Sequence, residues 1–405
     1  MDTITERGVT PTEEGRSGGL AAGTNVLGAD GSSPVEQLVR GDRIYAMEPL
    51  SRTVKLKRVV DVDRIEPAAA VDIDAQRARL RLAPGQYVPF VTDDIDLVRY
   101  QRADRLDERS RYRFISEWTS LESSRTEVVN LTDHATEYEM VARYDGSHGH
   151  SFRAALPAEC EPKRRHKQVG YAFDPATFDT YREAISAEST ALGIRTGTKE
   201  RPRPYRFAGD DFIQLLGWLA TEGSIYTGSD RNSASVKIAQ ETPRYRDTIR
   251  RLLDRLGIAY REDDRSFRIG SNFYGRIFSR LCGSDSQSKR LPSLVWDCSS
   301  AQKRLLMETL LAGDGNEKRT YYTVSERLAN QVLRLCVETG VTPAYHRRDD
   351  WRVYCRHVPS GFNFQTHCSW VDATRPYYRI VLEDYPLFLA GQNGTFQWLT
   401  ATAIA

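Results

Sequence analysis

Two acidic residues, each followed by glycine, end two apolar segments of similar pattern in the middle of this 405-residue chain. Glu222 follows the segment 211–221, and Asp314 follows the segment 301–313. The apolar spacing predicts helices, and glycine is the commonest residue just past a helix end. A carboxylate at that end faces the negative pole of the helix dipole. A bound divalent cation would offset this cost, because hard cations take carboxylate oxygens as ligands.

The sequence around the two acids repeats one helix–strand–helix–strand plan, which an ordinary helix cap does not explain. Predicted elements after Glu222 are a strand at 234–240, a helix at 244–257 and a strand at 266–269. Those after Asp314 are a strand at 320–325, a helix at 326–340 and strand material from Thr342 onward. Two such helix ends close together could hold metal ions over a phosphodiester, activate water and stabilise the leaving oxygen. Simple capping stays the alternative for either acid taken alone.

The nine residues LLGWLATEG (215–223) resemble, without gaps, the motif of the LAGLIDADG (dodecapeptide, DOD-type) homing endonucleases. METLLAGDG (307–315) resembles the second copy of that motif more loosely. The family packs its two motif helices at the centre of a pseudo-dimer, with small residues at the contact. In this chain those residues are Gly217, Ala220, Thr221, Ala312 and Gly313, with Thr309 where glycine is usual. The resemblance implies that Glu222 and Asp314 coordinate Mg²⁺, and that the sheet of each half lies along the DNA major groove.

Two further residues match positions that this family uses. Lys289 lies 25 residues before Asp314, where related enzymes carry a lysine near the scissile phosphate. It would stabilise transition-state charge or polarise the attacking water; a surface lysine in a loop is the alternative. Gln240 ends the strand after Glu222, where the family often places a polar residue that orients water. Lys237 would lie on the other face of a regular strand, where it could contact DNA.

The second half has no counterpart of this lysine, because no lysine follows Lys318. We therefore expect Arg356 or a nearby arginine to substitute for it, or one DNA strand to be cut less well.

The flanks resemble an intein, which carries the Hint β-fold. The similar segments are GTNVLGADGS (23–32), VEQLVRGDRIYA (35–46) and YYRIVLEDYPLFLAGQNG (377–394). Splicing chemistry needs a nucleophile, yet Gly19 stands where an intein begins with Cys or Ser. Ala83 and Gln86 stand where the family has Thr-x-x-His, and the end lacks His-Asn. These losses predict an intein-derived scaffold without splicing activity; an unrelated DNA-contacting β-domain is the alternative.

These patterns predict an α+β fold, in which an all-β Hint-like module is split around a two-repeat αββαββα endonuclease domain. A helix is expected at 177–191, and the basic run KRRHK (163–167) could help to grip DNA. The predicted divisions are 1–18 (flexible tail), 19–115 (N-terminal Hint-like β module), 116–204 (intervening region, with a linker at 196–204), 205–350 (endonuclease) and 351–405 (C-terminal Hint-like strands and tail).

Composition is that of a soluble globular protein, with 40% apolar and 28% charged residues. No apolar run approaches the roughly 20 residues that cross a bilayer, and the polar start is not a secretory signal, so we expect a cytoplasmic protein. The six cysteines lack CxxC spacing and are expected to be thiols rather than disulfides. Zinc is a weaker expectation, since the spacing of its four possible ligands matches no standard finger. These ligands are Cys355, His357, His367 and Cys368.

The function predicted from these residues is site-specific, Mg²⁺-dependent hydrolysis of both strands of a DNA target by a monomer. The short flanks lead us to expect a free-standing endonuclease descended from an intein. Two alternatives stay open from the sequence. One is an intein that still splices or processes itself, and the other is a DNA-binding relic whose nuclease has decayed.

Overall fold

The computed structural model describes residues 18–92, 97–107, 111–134, 139–145, 149–166, 170–195, 203–228, 233–357 and 359–403. The predicted tail (1–18) lies outside the described residues except for Gly18, as does most of the linker at 196–204. The chain divides into two compact units. The first combines Met1–Glu122 with Asn316–Ala405, and the second is Ser123–Gly315.

The N-terminal part of the first unit is built from short strands, because β-branched and apolar residues alternate with polar ones between Gly, Pro and Asp turns. In chain order they are β1 (Leu20–Ala21), β2 (Asn25–Gly28), β3 (Gly31–Pro34), β4 (Arg43–Met47), β5 (Val54–Ile65), β6 (Ala69–Ala75), β7 (Ala78–Leu82), β8 (Tyr87–Val91), β9 (Val98–Arg102) and β10 (Tyr112–Arg113).

The second unit mixes helices and strands. Its elements are β11 (Val128–Asn130), β12 (Met140–Arg143), α1 (Gly149–Ala155), β13 (Arg164–His166), β14 (Gly170–Phe173), α2 (Pro175–Thr180), α3 (Arg182–Glu188), β15 (Ala191–Ile194), β16 (Arg206–Ala208), α4 (Gly209–Thr221), β17 (Gly223–Thr227), β18 (Ala234–Ala239), α5 (Pro243–Arg255), β19 (Arg261–Asp263), β20 (Ser266–Ile269), α6 (Asn272–Cys282) and α7 (Ser300–Asp314).

The C-terminal part returns to the first unit. Its elements are β21 (Thr320–Thr323), α8 (Glu326–Glu338), β22 (Tyr345–Arg347), β23 (Trp351–Tyr354), β24 (Gly361–Phe362), α9 (Phe364–His367), β25 (Cys368–Asp372), β26 (Tyr377–Leu382), β27 (Leu387–Gly391), β28 (Gln397–Thr400) and β29 (Thr402–Ala403).

Strands from both ends of the chain interleave in one 12-stranded sheet of the first unit. The N-terminal β1 lies between β7 and β26, and β2 pairs with β27. The register brings Leu20 opposite Tyr378 and Val26 opposite Ala390. The expectation that the two flanks form one β module interrupted by the central region is therefore confirmed, and so is the α+β class.

The predicted helix at 177–191 is two helices and part of a strand. Asp174 caps the first, since its carboxylate accepts the backbone N–H of Thr177 at 3.0 Å. The backbone leaves the helical region at Tyr181, with φ −112°, and α3 follows. Apolar periodicity continues across this break, so the sequence pattern did not reveal it.

The two segments that begin with α4 and α7 differ in their order of elements. From Gly209 to Cys282 the order is α–β–β–α–β–β–α, as predicted for one repeat. From Ser300 to Tyr354, a stretch described throughout, the order is α–β–α–β–β. Only four residues separate Gly315 from β21, which is too short for a strand like β17 followed by a turn.

The compact units differ from the domains predicted from the sequence. Residues 316–350, assigned there to the endonuclease, belong to the same compact unit as the two termini. Compactness and common ancestry need not divide a chain at the same residue, so the boundaries 205–350 stay a prediction.

Helices α4 and α7 pack side by side with the same chain direction. A Cβ atom on Gly217 would lie 2.7 Å from Thr309, and one on Gly313 would overlap Thr221. The two glycine–threonine pairs are reciprocal, because each helix contributes one glycine and one threonine four residues apart. This spacing places both contacts on one face of each helix and lets the backbones approach closely.

Both helices are fixed at their N-termini as well. Gln302 on α7 donates its side-chain Nε2 to Asp210 Oδ1 on α4 at 2.9 Å. Ser299 and Gln302 form a capping box at the start of α7. The pair is therefore in register along its whole length, and both C-termini point the same way.

Gly313→Ala should destabilise the second unit, because the added methyl has no room against Thr221. We expect the free energy of unfolding to fall by about 1–3 kcal/mol, as in other overpacked contacts. Urea denaturation followed by circular dichroism measures it. The control is Gly270→Ala, since nothing lies within 4 Å of a Cβ at Gly270. Equal effects of the two substitutions would refute the close helix contact.

Candidate active site

The helix pair brings the two sequence-predicted acids to one place. Glu222 is the residue that caps α4 at its C-terminus, and Asp314 is the last residue of α7. The backbone N–H of Glu222 donates to Trp218 O at 3.0 Å, and its carbonyl accepts from Ala239 N at 3.0 Å. Glu222 is thus held between its own helix and strand β18. Both side chains are half-buried.

Gln240 lies where the sequence placed it, directly after β18, and it is buried. Its side-chain Nε2 donates to Glu222 Oε1 at 3.0 Å, while its Oε1 accepts the backbone N–H of Thr242 at 2.9 Å. Lys237, three residues earlier, is exposed on the other face of the strand. The predicted separation of the two side chains is therefore confirmed.

Lys289 reaches the same helix ends from the loop after α6. Its ammonium donates to the backbone carbonyl of Thr221, the last residue of α4. Burial lowers the pKa of Lys289, while the carboxylates of Asp314 and Glu222 act in the opposite direction. The structure therefore brings together all four residues named from the sequence, although their catalytic roles stay a prediction.

Charge in this cluster is not balanced. Burial and the neighbouring Asp314 raise the pKa of Glu222 to about 6, against the partial compensation of Lys289 and the Gln240 hydrogen bond. Burial also raises the pKa of Asp314, which Lys289 opposes. Two carboxylates that are costly to ionise together attract a cation, because a divalent ion removes both the desolvation cost and the repulsion.

Sequence reasoning missed two features that orient the acids. The carbonyl of Thr221 anchors Lys289, and Arg246 on α5 donates Nη1 to the carbonyl of Gln240 at 2.9 Å. Neither contact has a signature in the local sequence, because both acceptors are backbone carbonyl oxygens, which every residue carries.

The zinc expectation finds no support. Within the described ranges no group of three or more His, Cys, Asp and Glu could hold a metal ion. Cys355 packs against Cys336 in the core, whereas Cys368 begins the edge strand β25. The described cysteines are all free thiols, as expected.

The basic run KRRHK is partly neutralised inside the second unit. Lys163 and Arg164 both pair with Glu139, at 3.1 and 2.9 Å, and Arg195 joins them at 2.7 Å. Lys167 lies outside the described residues. A role of this run in gripping DNA stays a prediction.

Gly19 and Gln86, the two positions where an intein would carry a nucleophile and a histidine, are packed against neighbouring residues and hydrogen-bonded. Gly19 O accepts from Ala83 N at 2.9 Å, and a Cβ on Gly19 would lie 2.9 Å from Ile65 Cδ1. Gln86 is buried and donates Nε2 to the carbonyl and the hydroxyl of Thr400, at 2.9 and 2.8 Å. A primary amide at this position cannot exchange a proton near neutral pH as imidazole does.

Residues 211–289 match the family model described as "LAGLIDADG-like domain". This matched region contains residues 211–221 of α4 together with Glu222, Gln240 and Lys289.

Three proteins are similar to parts of this chain. A DNA polymerase of Thermococcus kodakarensis is 29% identical over 192 residues, which are 44% of this chain and 11% of the polymerase. A variant of I-DmoI in complex with its target DNA, with manganese present, has 15% identity and a TM-score of 0.28 over 36% of this chain and 85% of that chain. A bacterial intein-like domain from Clostridium thermocellum has 20% identity and a TM-score of 0.21 over 24% and 66%. The chain spans about a tenth of the length of the curated relatives it matches.

No helix in the described ranges has the length and apolar character needed to cross a membrane.

Asp314→Asn should lower the pKa of Glu222 toward its ordinary value of 4.5, because it removes the neighbouring negative charge. Lys289→Met should raise it, because the compensating positive charge is lost. Carbon-13 NMR of the Glu222 carboxyl against pH measures both shifts. Asp285→Asn is the control, since Asp285 is exposed and bonded to Ser288. An unchanged or higher pKa of Glu222 in Asp314→Asn would show that the two acids do not interact, and an unchanged or lower pKa in Lys289→Met would show that Lys289 does not compensate Glu222.

Proposed function

We propose that this protein is a site-specific, Mg²⁺-dependent endonuclease that cuts both strands of a DNA target. One observation carries the proposal. The reciprocal contacts of Gly217 with Thr309 and of Thr221 with Gly313 set α4 and α7 in parallel register, and this places Glu222 and Asp314 at the same end. The LAGLIDADG-like family match over 211–289 supports it.

The residues of the site fit a divalent cation. Mg²⁺ in enzymes is usually held by one or two carboxylates, with water and substrate phosphate completing its shell. Glu222 and Asp314 supply such a pair. Burial raises the pKa of both carboxyls, and the charge of Asp314 adds to the rise at Glu222, so a bound cation would offset the cost of ionising them. When bound, the ion would polarise the phosphodiester and lower the pKa of water.

The chain's own groups would do the remaining work. Lys289 would carry positive charge toward the scissile phosphate, since its ammonium already lies at the C-terminus of α4. Gln240 would fix the rotamer of Glu222 through their 3.0 Å hydrogen bond. Holding these groups before substrate arrives reduces the reorganisation needed for the reaction.

Each copy of the repeat presents an exposed polar sheet face for DNA. In the first sheet, ordered β17–β18–β20–β19, one row of cross-strand neighbours is exposed and mostly basic. Side chains opposite one another in antiparallel strands share a face, so this row forms a continuous surface. Arginine and lysine on such a surface can contact phosphates and guanine edges. The row consists of Ser224, Lys237, Arg268 and Arg261.

The sheet of the second copy, ordered β21–β23–β22, offers a comparable row with fewer strands. Tyr322 and His346 both lie opposite Arg352, and Tyr321 and Val353 are buried on the other face. Unequal sheets favour an asymmetric target, because the two half-sites would meet different side chains. Since both catalytic acids come from one chain, we propose that a monomer suffices.

We further propose that the 12-stranded sheet is an intein-derived scaffold that no longer splices. Gly19 has no nucleophilic side chain, and Gln86 is engaged with Thr400. This proposal rests on chemistry at those positions and is independent of the nuclease.

Glu222→Gln and Asp314→Asn should each lower the cleavage rate at least about 100-fold, because several kcal/mol of charge stabilisation are lost with the metal. The substrate is a plasmid with the genomic sequences that flank this coding region, joined, or a target enriched by cleavage from a randomised duplex library. At subsaturating Mg²⁺, cleavage by the unaltered protein should also fall as pH decreases through about 6, because protons then compete with the ion for Glu222.

The control for both variants is Asp285→Asn, which should cut at the normal rate. Thermal unfolding with added Mg²⁺ gives a second measurement, since only proteins that keep both acids should be stabilised by the ion. Full-rate cutting by a folded Glu222→Gln protein would overturn the assignment. If the protein binds DNA without nicking it in Mg²⁺, it is a binding protein rather than a nuclease.

Placed between two reporter domains, the chain should remain covalently joined to both. Mass spectrometry should find one species, the intact fusion protein, because Gly19 has no nucleophilic side chain and Gln86 carries an amide in place of an imidazole. Ligated reporters or separate fragments would show that the splicing module is active.

A further inference from the structure

Arg246 connects the catalytic cluster to the edge of the first sheet. Its Nη1 donates to the carbonyl of Gln240 at 2.9 Å. Its Nη2 donates to the carbonyl of Asp263 at 2.7 Å and pairs with Glu262. The guanidinium also lies over the ring of Phe267, 5.2 Å from the ring centre. A planar fork of several donors suits this bridging position.

The backbone and side-chain polar groups of Gln240 are all hydrogen-bonded. Its backbone N–H donates to Arg265 O at 2.9 Å, and its backbone carbonyl accepts from Arg246. Its side-chain oxygen accepts the Thr242 N–H at 2.9 Å. Because that oxygen faces a donor, the amide nitrogen must point the other way, toward Glu222.

We propose that Arg246 is a positioning residue for cleavage, which acts through Gln240 on Glu222. This inference rests on the proposed nuclease function. Without Arg246 the backbone carbonyl of Gln240 loses its tie to Asp263. The Gln240 amide, still directed by Thr242, is then held less firmly at its position beside Glu222. Glu222 then samples orientations in which it does not hold the reacting groups.

A direct role of Arg246 on DNA fits the structure less well. Only 13% of its side chain is exposed, and its donors are directed at three oxygen atoms of the protein. Arg250, one helical turn later on α5, provides the matched control. It shares Glu262 with Arg246, at 2.7 Å, and its contacts are with Glu262 and Asp247 rather than with Gln240.

The test measures DNA binding and single-turnover cleavage separately, on the substrate that the unaltered protein cuts. Arg246→Ala should slow cleavage by about 10- to 100-fold, as misplacement of a catalytic group does, with the Kd for DNA unchanged. Arg246→Lys should recover part of the rate, since an ammonium can still reach the Gln240 carbonyl. Arg250→Ala should cleave at the normal rate.

A double-mutant cycle shows whether the effect passes through Gln240. If it does, Arg246→Ala should cost little further rate in a Gln240→Ala protein. Multiplied effects of the two substitutions, an equal loss in Arg250→Ala, or a weakened Kd for DNA with normal cleavage would each overturn the proposal.

A readout without DNA separates this inference from the nuclease proposal. The side-chain amide signals of Gln240, assigned by their loss in Gln240→Ala, are followed by nitrogen-15 NMR. Arg246→Ala should shift them and Arg250→Ala should not. Absence of cleavage by the unaltered protein would refute the nuclease, whereas unshifted Gln240 signals in Arg246→Ala would refute the positioning role.

Discussion

The close approach of α4 and α7 is the contact on which the candidate site depends. Gly217 packs against Thr309, and Gly313 packs against Thr221. Each threonine side chain therefore fits against a residue that has no side chain. Thr309 departs from the glycine usual in related motifs, and Gly217 across the interface accommodates it. Only helices in this register place their C-terminal acids together.

That proximity creates the electrostatic problem that the rest of the site addresses. Burial raises the pKa of both half-buried carboxyls, and the negative charge of Asp314 adds to the rise at Glu222. Lys289 offsets part of the charge, and the amide of Gln240 directs one oxygen of Glu222. Arg246 extends this support to the sheet edge. The proposed cation would offset the remaining negative charge of the two acids.

The two copies of the repeat have diverged in their elements. The first has the full αββαββα order, while the second lacks the counterpart of β17 because Gly315 and β21 are only four residues apart. Lys289 and Gln240 both belong to the first copy. If the proposed nuclease is correct, its two half-sites are served by different surfaces, and the unequal strand cleavage expected from the sequence has a structural basis.

Much of this could be predicted from the sequence, because local patterns determined it. Apolar periodicity gave α4, α5, α7 and α8, and the acid–glycine ends and their repetition identified Glu222 and Asp314. Strand and turn patterns predicted an all-β module at 19–113, and the resemblance to an intein predicted that the module is split. The residue types at Gly19 and Gln86 predicted a loss of splicing, which stays a prediction. The apolar periodicity did not predict the break between α2 and α3 at Tyr181, because the pattern of apolar residues continues across it.

The tertiary structure alone decided how those residues work together. The pairing of Thr309 with Gly217 and the contact of Lys289 with the Thr221 carbonyl join groups that are distant in the chain. The bridge of Arg246 depends on backbone carbonyls whose positions only the fold sets. The fold also paired Lys163 and Arg164 with the single carboxylate of Glu139, which the run of basic residues could not show. The sequence gives the type of each side chain. The charges and backbone oxygens that a side chain contacts depend on the tertiary structure.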